Sequence, residues 1–135
     1  MTKDNFTLAI VFFPNCWNDS VPKVGIYLDG ELLAVEHLYK NQDIIKFEYE
    51  IELDYGSHEI SVKYENKNKE DVFWHEGKRL RENFIRIEKI YIDYVDLSNL
   101  VKKKHKPVML LTQEKFVIKF QSPIYYWMLH EVDKF

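Results

Sequence analysis

The stretch Ile45-Lys46-Phe47-Glu48-Tyr49-Glu50-Ile51-Glu52-Leu53 alternates without a break: every odd-numbered residue is apolar or aromatic and every even-numbered one is charged. Successive side chains of an extended chain point to opposite faces, so this run is a strand with one dry and one wet side. Ile60, Val62 and Tyr64, set against Glu59, Ser61, Lys63 and Glu65, repeat the pattern. Asp54-Tyr55-Gly56-Ser57 between them reads as a turn, so the two runs are expected to pair as an antiparallel hairpin. Phe47, Tyr49, Ile51, Ile60 and Val62, with Ile87 and Ile92 further on, are the expected core.

Working outward, Val24–Leu28 and Glu31–Leu38 flank Asp29-Gly30. That pair favours a two-residue type I′ turn, whose central residues both need positive φ, so a second hairpin is expected. Phe6–Phe13 is an unbroken β-favouring apolar run, the signature of a strand buried on both faces, and 14–23 reads as loop. Glu65–Asp71 reads as an exposed charged loop, and Val72–Trp74 as a short strand ahead of Glu76-Gly77. In Phe84–Tyr94 the apolar phase shifts between Ile85, Ile87 and Ile90, Ile92, as a β-bulge near Glu88-Lys89 would cause. Lys102–Pro107 reads as a second charged loop, and Val108–Leu111 and Glu114–Phe120 as the last strands. Ser122-Pro123 has the order of a helix cap followed by a first-turn proline, and Ile124, Trp127, Met128 and Val132 follow at helical spacing. Together these signals predict an all-β domain spanning 1–135, a two-sheet antiparallel β-sandwich of jelly-roll type closed by a short C-terminal helix or turn.

Composition agrees. In 135 residues, 46% are apolar, 16% aromatic and 30% charged, with 4 Gly and 4 Pro. Such a chain is too hydrophobic to be disordered, and charges interrupt every apolar run well short of a membrane span. A net charge of −3 gives no global attraction for nucleic acid or an anionic membrane. The polar start carries no signal-peptide pattern. Cys16 is the single cysteine, which excludes an intrachain disulfide; the expectation is folding in a reducing cytosol, with Cys16 a small, partly buried thiol.

No nucleotide-binding, zinc-protease, nucleophile-elbow or EF-hand motif is present, so no enzymatic activity is expected. His37, His58, His75, His105 and His130 have no metal-ligand spacing. Glu48, Glu50 and Glu52 share one strand face and read as a solvated charged face. Asp71, Asp93 and Asp96 fall near loop or strand ends, where oxygen clusters hold hard cations such as calcium. Lys102, Lys103, Lys104 and Lys106, with Lys67 and Lys69, read as solvated loops that keep the chain soluble or make weak anionic contacts, without sequence-specific nucleic-acid readout. Trp17, Trp74 and Trp127 offer flat faces for a sugar ring or a protein partner. Ile124, Tyr125, Tyr126, Trp127, Met128 and Leu129 are too wide an apolar run for one helix face to hide, so part of it is expected to meet a partner.

Taken in order, five segments carry a resemblance: Pro22-x-Val24-x-Ile26-Tyr27-Leu28-Asp29; Phe47 to Leu53 followed by Gly56-x-His58-x-Ile60-x-Val62; Asn66-Lys67-x-x-x-Asp71; Ile87-x-x-Ile90-x-Ile92-Asp93-x-Val95-Asp96-Leu97; and Phe120-x-Ser122-Pro123-Ile124-x-x-Trp127-x-Leu129. They resemble small β-sandwich proteins of tailed bacteriophages, which are similar in turn to calcium-dependent carbohydrate-binding modules. The resemblance implies a non-enzymatic structural or decoration protein of a virion, made in the host cytoplasm, whose aromatic residues dock on other subunits of the particle. The alternative it implies is a carbohydrate-binding module for a host surface glycan, with calcium as its one candidate cofactor.

Overall fold

The computed structural model describes residues 3–97, 102–103, 106–111 and 115–132. The elements in order are β1 (Lys3–Asn15), β2 (Lys23–Leu28), β3 (Glu31–His37), β4 (Ile45–Asp54), β5 (Gly56–Tyr64), a 3-10 turn at Lys69–Asp71, β6 (Val72–His75), β7 (Lys78–Glu82), β8 (Phe84–Ile92), β9 (Val95–Asp96), β10 (Lys102–Lys103), β11 (Lys106–Leu110), β12 (Lys115–Ser122) and the helix α1 (Ile124–Val132). One antiparallel sheet runs β10-β11-β8-β1-β4, with β9 beside β8; the other runs β12-β5-β2-β3; β6 and β7 form a separate hairpin. This is the all-β sandwich expected, with its short C-terminal helix.

The alternation at 45–53 does put Ile51 and Leu53 in the core with Phe47 and Tyr49 packed against it, and Ile60, Val62, Ile87 and Ile92 are buried there too. The pairing differs from the expected hairpin. β4 pairs with β1, whereas β5 pairs with β2 and β12, so the two amphipathic strands lie in opposite sheets. A single residue, Tyr55, separates them, and Gly56 takes φ +136°. A bend that short lacks the two central residues of a tight hairpin and turns the chain from one sheet to the other. Each dry face then meets the other across the core, which buries more apolar surface than pairing edge to edge.

β1 holds the centre of its sheet, with Phe6, Leu8, Ala9, Ile10, Val11 and Phe12 all buried. Against β8, its register jumps from Val11↔Lys89 to Phe12↔Ile87, so Glu88 is the extra residue of a bulge where the sequence phase slips. Asp29 and Gly30 sit at φ 51° and 83°, as the β2–β3 turn requires. The expected exposed loop 65–71 instead buries the side chains of Lys67 and Asp71, because polar partners await them there. Lys102–Lys103 and Lys106–Leu110 form a short hairpin at the sheet edge rather than a loop; Lys104, His105 and Glu114 lie outside the described residues. Among the described residues no helix is long and apolar enough to cross a membrane.

The helix cap is also not the one expected. Ser122 Oγ–H donates to Asp4 Oδ2 at 2.5 Å, and the same oxygen accepts the Ile124 backbone N–H at 2.6 Å. Ser122 is thus a donor, and the capping carboxylate comes from β1. The reason is electrostatic: the N-terminus of α1 carries unpaired N–H groups and a partial positive charge, which a buried carboxylate stabilises more than a hydroxyl does.

Candidate functional site

Where β5 and β12 meet, the register sets His58 opposite Phe120, Glu59 opposite Lys119 and Ser57 opposite Gln121. His58 and Phe120 share the inward parity of Ile60 and Ile118, whereas Glu59, Lys119, Ser57 and Gln121 take the outward one. The β2–β3 turn brings Asp29 alongside: its N–H donates to the Glu59 carbonyl, and its Oδ1 accepts the Glu59 N–H, both at 2.8 Å. The helix adds Trp127. These eight residues line a cleft of about 660 Å³.

Phe120 is the hub of its wall. The buried ring meets Phe6 edge-on at 5.9 Å, Trp127 at 6.0 Å and 64°, and His58 at 5.8 Å and 33°. Trp127 is thereby wedged between the core and the cleft, half-buried and part of the cleft's lining.

His58 is held at both nitrogens, with Nδ1 2.6 Å from Asp29 Oδ2 and Nε2 2.7 Å from the Asp54 carbonyl oxygen. Both partners only accept, so satisfying them together requires the doubly protonated ring. Burial, the largest single influence, pulls the His58 pKa down. The hydrogen bond to Asp29, the Asp54 carbonyl and the negative charges together outweigh it and raise the pKa above its ordinary 6.5. With His58 protonated, the cleft's two carboxylates are matched by two cations.

Of the expected site residues, only Trp127 lies in this cleft. Tyr126, 75% exposed, and Trp127 line a smaller groove of about 180 Å³ with Gln121, Ser122 and Pro123. Exposed Tyr125 donates its hydroxyl to Asp93 Oδ2. Trp17 donates Nε1–H to the Asp71 carbonyl at 2.9 Å and meets Phe73 edge-on at 5.7 Å. Trp74, 59% exposed, stands on the β6–β7 hairpin. Asp29, His58, Glu59 and Gln121 also line the cleft, and no motif in the sequence marks them as site residues. The parity of His58, inward two positions before Ile60, is the signal that marks it.

Asp71, Asp93 and Asp96 are not brought together as a calcium site. Asp71 Oδ1 accepts from Asn18 Nδ2 and Ser20 Oγ at 3.0 Å and from Asn83 Nδ2 at 2.9 Å, and Oδ2 accepts the Asn68 N–H at 3.0 Å. Asp93 accepts the Thr7 N–H and the Tyr125 hydroxyl, and Asp96 is exposed on β9. Calcium takes about six to eight oxygens. Asp71 spends its two oxygens on four protein donors, each Asp93 oxygen already holds one, and among the described residues no three His, Cys, Asp or Glu are grouped to hold a metal. Lys67, expected in a solvated loop, instead places its ammonium between Glu82 and the Leu111 carbonyl. Cys16 is buried; burial and then the charge of Asp71 push its thiol up to about 11, which leaves no thiolate for nucleophilic chemistry near neutrality.

No family model and no curated protein matches the chain in sequence. Among solved structures, vCBM60, described with two families of calcium-dependent carbohydrate binding modules linked by circular permutation, superposes with a TM-score of 0.51. The match is at 10% identity and covers 86% of this chain and 90% of that one. A second structure, vCBM60 in complex with galactobiose, gives a TM-score of 0.45 at 10% identity, covering 85% of this chain and 97% of the other. The first likeness shows a shared β-sandwich fold.

Proposed function

We propose that the chain is a non-catalytic carbohydrate-binding module and that the cleft between Asp29, His58 and Trp127 takes a neutral sugar. The carrying observation is the chemistry of the cleft: a half-buried indole braced by Phe120 lines it together with carboxylate, amide and hydroxyl groups. A pyranose offers the counterpart to both, an apolar C–H face for the ring and vicinal hydroxyls for Asp29, Glu59 and Gln121. The β-sandwich shared with vCBM60, a carbohydrate-binding module, supports the same reading.

The test is titration of the full chain with neutral mono- and oligosaccharides, followed by tryptophan fluorescence and calorimetry, with and without a chelator. Saturable binding that Trp127→Ala weakens by at least about tenfold, equal to about 1.4 kcal/mol, is expected. Chelation is expected to leave it unchanged, and loss on chelation would put a cation into the site. No binding to any sugar would overturn the proposal. A second reading, a subunit docked in a virion, draws on the exposed Tyr126 and Leu129 of α1. Light scattering and incorporation into particles distinguish it.

A further inference from the structure

β6 and β7 stand apart from both sheets of the sandwich as a hairpin of their own, and every residue from 73 to 81 is exposed. Their register has a pattern. Phe73 lies opposite Arg81, Trp74 opposite Arg79 and His75 opposite Lys78, so each ring on β6 faces a cation on β7. Leu80 is the extra residue of a bulge that keeps this pairing in step.

The protein itself uses these groups only in part. Trp17 meets the Phe73 ring edge-on, and Arg79 is paired with Glu82, which also holds Lys67. Among the described residues no ion pair engages Lys78 or Arg81, and no cation stacks on Phe73 or Trp74. Phe73 stays 42% exposed and Trp74 more so. Directly opposed side chains share a face, which sets Phe73 and His75 with Arg81 and Lys78 on one side and Trp74 with Arg79 on the other. Residues two apart along a strand are separated by about 6.7 Å. That is twice the stacking repeat of nucleobases, about 3.4 Å, so the spacing of Phe73 and His75 admits one flat base between them.

An occupant has to offer flat rings and negative charge in alternation. A single nucleic-acid strand does so, because its unpaired bases leave their faces open and a phosphate follows each one. A neutral sugar leaves the cations unanswered, and an anionic bilayer is opposed by Glu76, whose side chain is 84% exposed at the tip of the hairpin. We propose that the β6–β7 hairpin binds single-stranded nucleic acid, with Phe73, Trp74 and His75 taking bases and Lys78 and Arg81 taking phosphates. The net charge of −3 gives no long-range attraction, so the rings carry the affinity and base sequence matters little. The hairpin shares no residue with the cleft of Asp29 and Trp127, so the two sites stand or fall separately.

The experiment is titration of the full chain with oligothymidylate of about 20 nucleotides, followed by anisotropy of a labelled strand and by tryptophan quenching with an unlabelled one, between about 50 and 200 mM salt. Saturable binding with quenching is expected. Log affinity should fall against log salt with a slope of about −1.4, the value for two phosphates neutralised on a single strand. Trp74→Ala should weaken binding at least about fivefold and Trp74→Phe should retain most of it. The double variant Lys78→Gln, Arg81→Gln should bring the slope close to zero. All three positions are exposed, so thermal midpoints are expected to hold. Absence of binding, binding indifferent to Trp74→Ala, or equal competition by heparin, a polyanion without flat rings, overturns the proposal. Tighter binding to phosphatidylserine vesicles than to the strand also overturns it and assigns the hairpin to a membrane surface.

Discussion

Two carboxylates, Asp71 and Asp29, sit in opposite circumstances. Asp71 is 1% exposed and takes four donors from Asn18, Ser20, Asn83 and Asn68, which ties the β1–β2 connection, the 3-10 turn and the start of β8 into one knot. Asp29, its side chain 42% exposed, takes the Glu59 N–H and the His58 ring and keeps acceptor capacity facing the cleft. A carboxylate saturated by its own protein holds the fold; one that is half satisfied can also serve a ligand. The same contrast separates the tryptophans. Trp17 spends its indole N–H on the knot, whereas Trp127, braced by Phe120, lines the cleft.

The largest expected effect breaks the first half of that contrast. Asp71→Ala should cost about 3–5 kcal/mol in urea unfolding, since several buried donors lose their partner at roughly 1–3 kcal/mol each. Sugar affinity at temperatures where the variant stays folded should not change. Asp29→Asn should do the reverse, with a stability loss of about 1 kcal/mol or less at this exposed position and a clear loss of binding in the same titration. Equal behaviour of the two variants would erase the distinction. Asp93 is the intermediate case, with the Thr7 N–H and the Tyr125 hydroxyl as partners. Its replacement by alanine should cost about 1–2 kcal/mol, read from the urea midpoint.

The smallest effect sharpens the comparison by pH. Because the folded pKa of His58 lies above 6.5, the folded state binds its proton more tightly than the unfolded chain does. That contribution to stability is complete below about pH 6.5 and is lost as pH rises through the folded value. Thermal midpoints should therefore fall with rising pH in that window, and His58→Gln should flatten the slope. Asp71→Ala should leave the slope in place.

The strands were legible because each carries its period in its own letters. The run 45–53, the slip near Glu88 and the Asp29-Gly30 turn all record local geometry. Pairing was not legible in the same way: whether β4 meets β5 or β1 depends on how two dry faces share one core, and the connecting residues constrain that only through the shortness of the bend at Tyr55. The site was harder still. Trp127 stood out by type, but Asp29 and His58 meet across 29 positions of sequence, and nothing within either segment names the other. By sequence Asp71 reads as a candidate calcium ligand because acids near loops look alike; only the three-dimensional set of donors around it reveals the knot.

Asp4 belongs to the first described strand and α1 to the last described element, yet one oxygen of Asp4 holds both Ser122 and Ile124. During synthesis that carboxylate leaves the ribosome more than a hundred residues before the helix it caps, and the wall of the cleft cannot be set until the helix arrives. The Trp127 wall of the cleft therefore depends on a contact made by the strand most distant from it in sequence, and a substitution at Asp4 would reach the cleft through the seat of the helix without touching any residue that lines it.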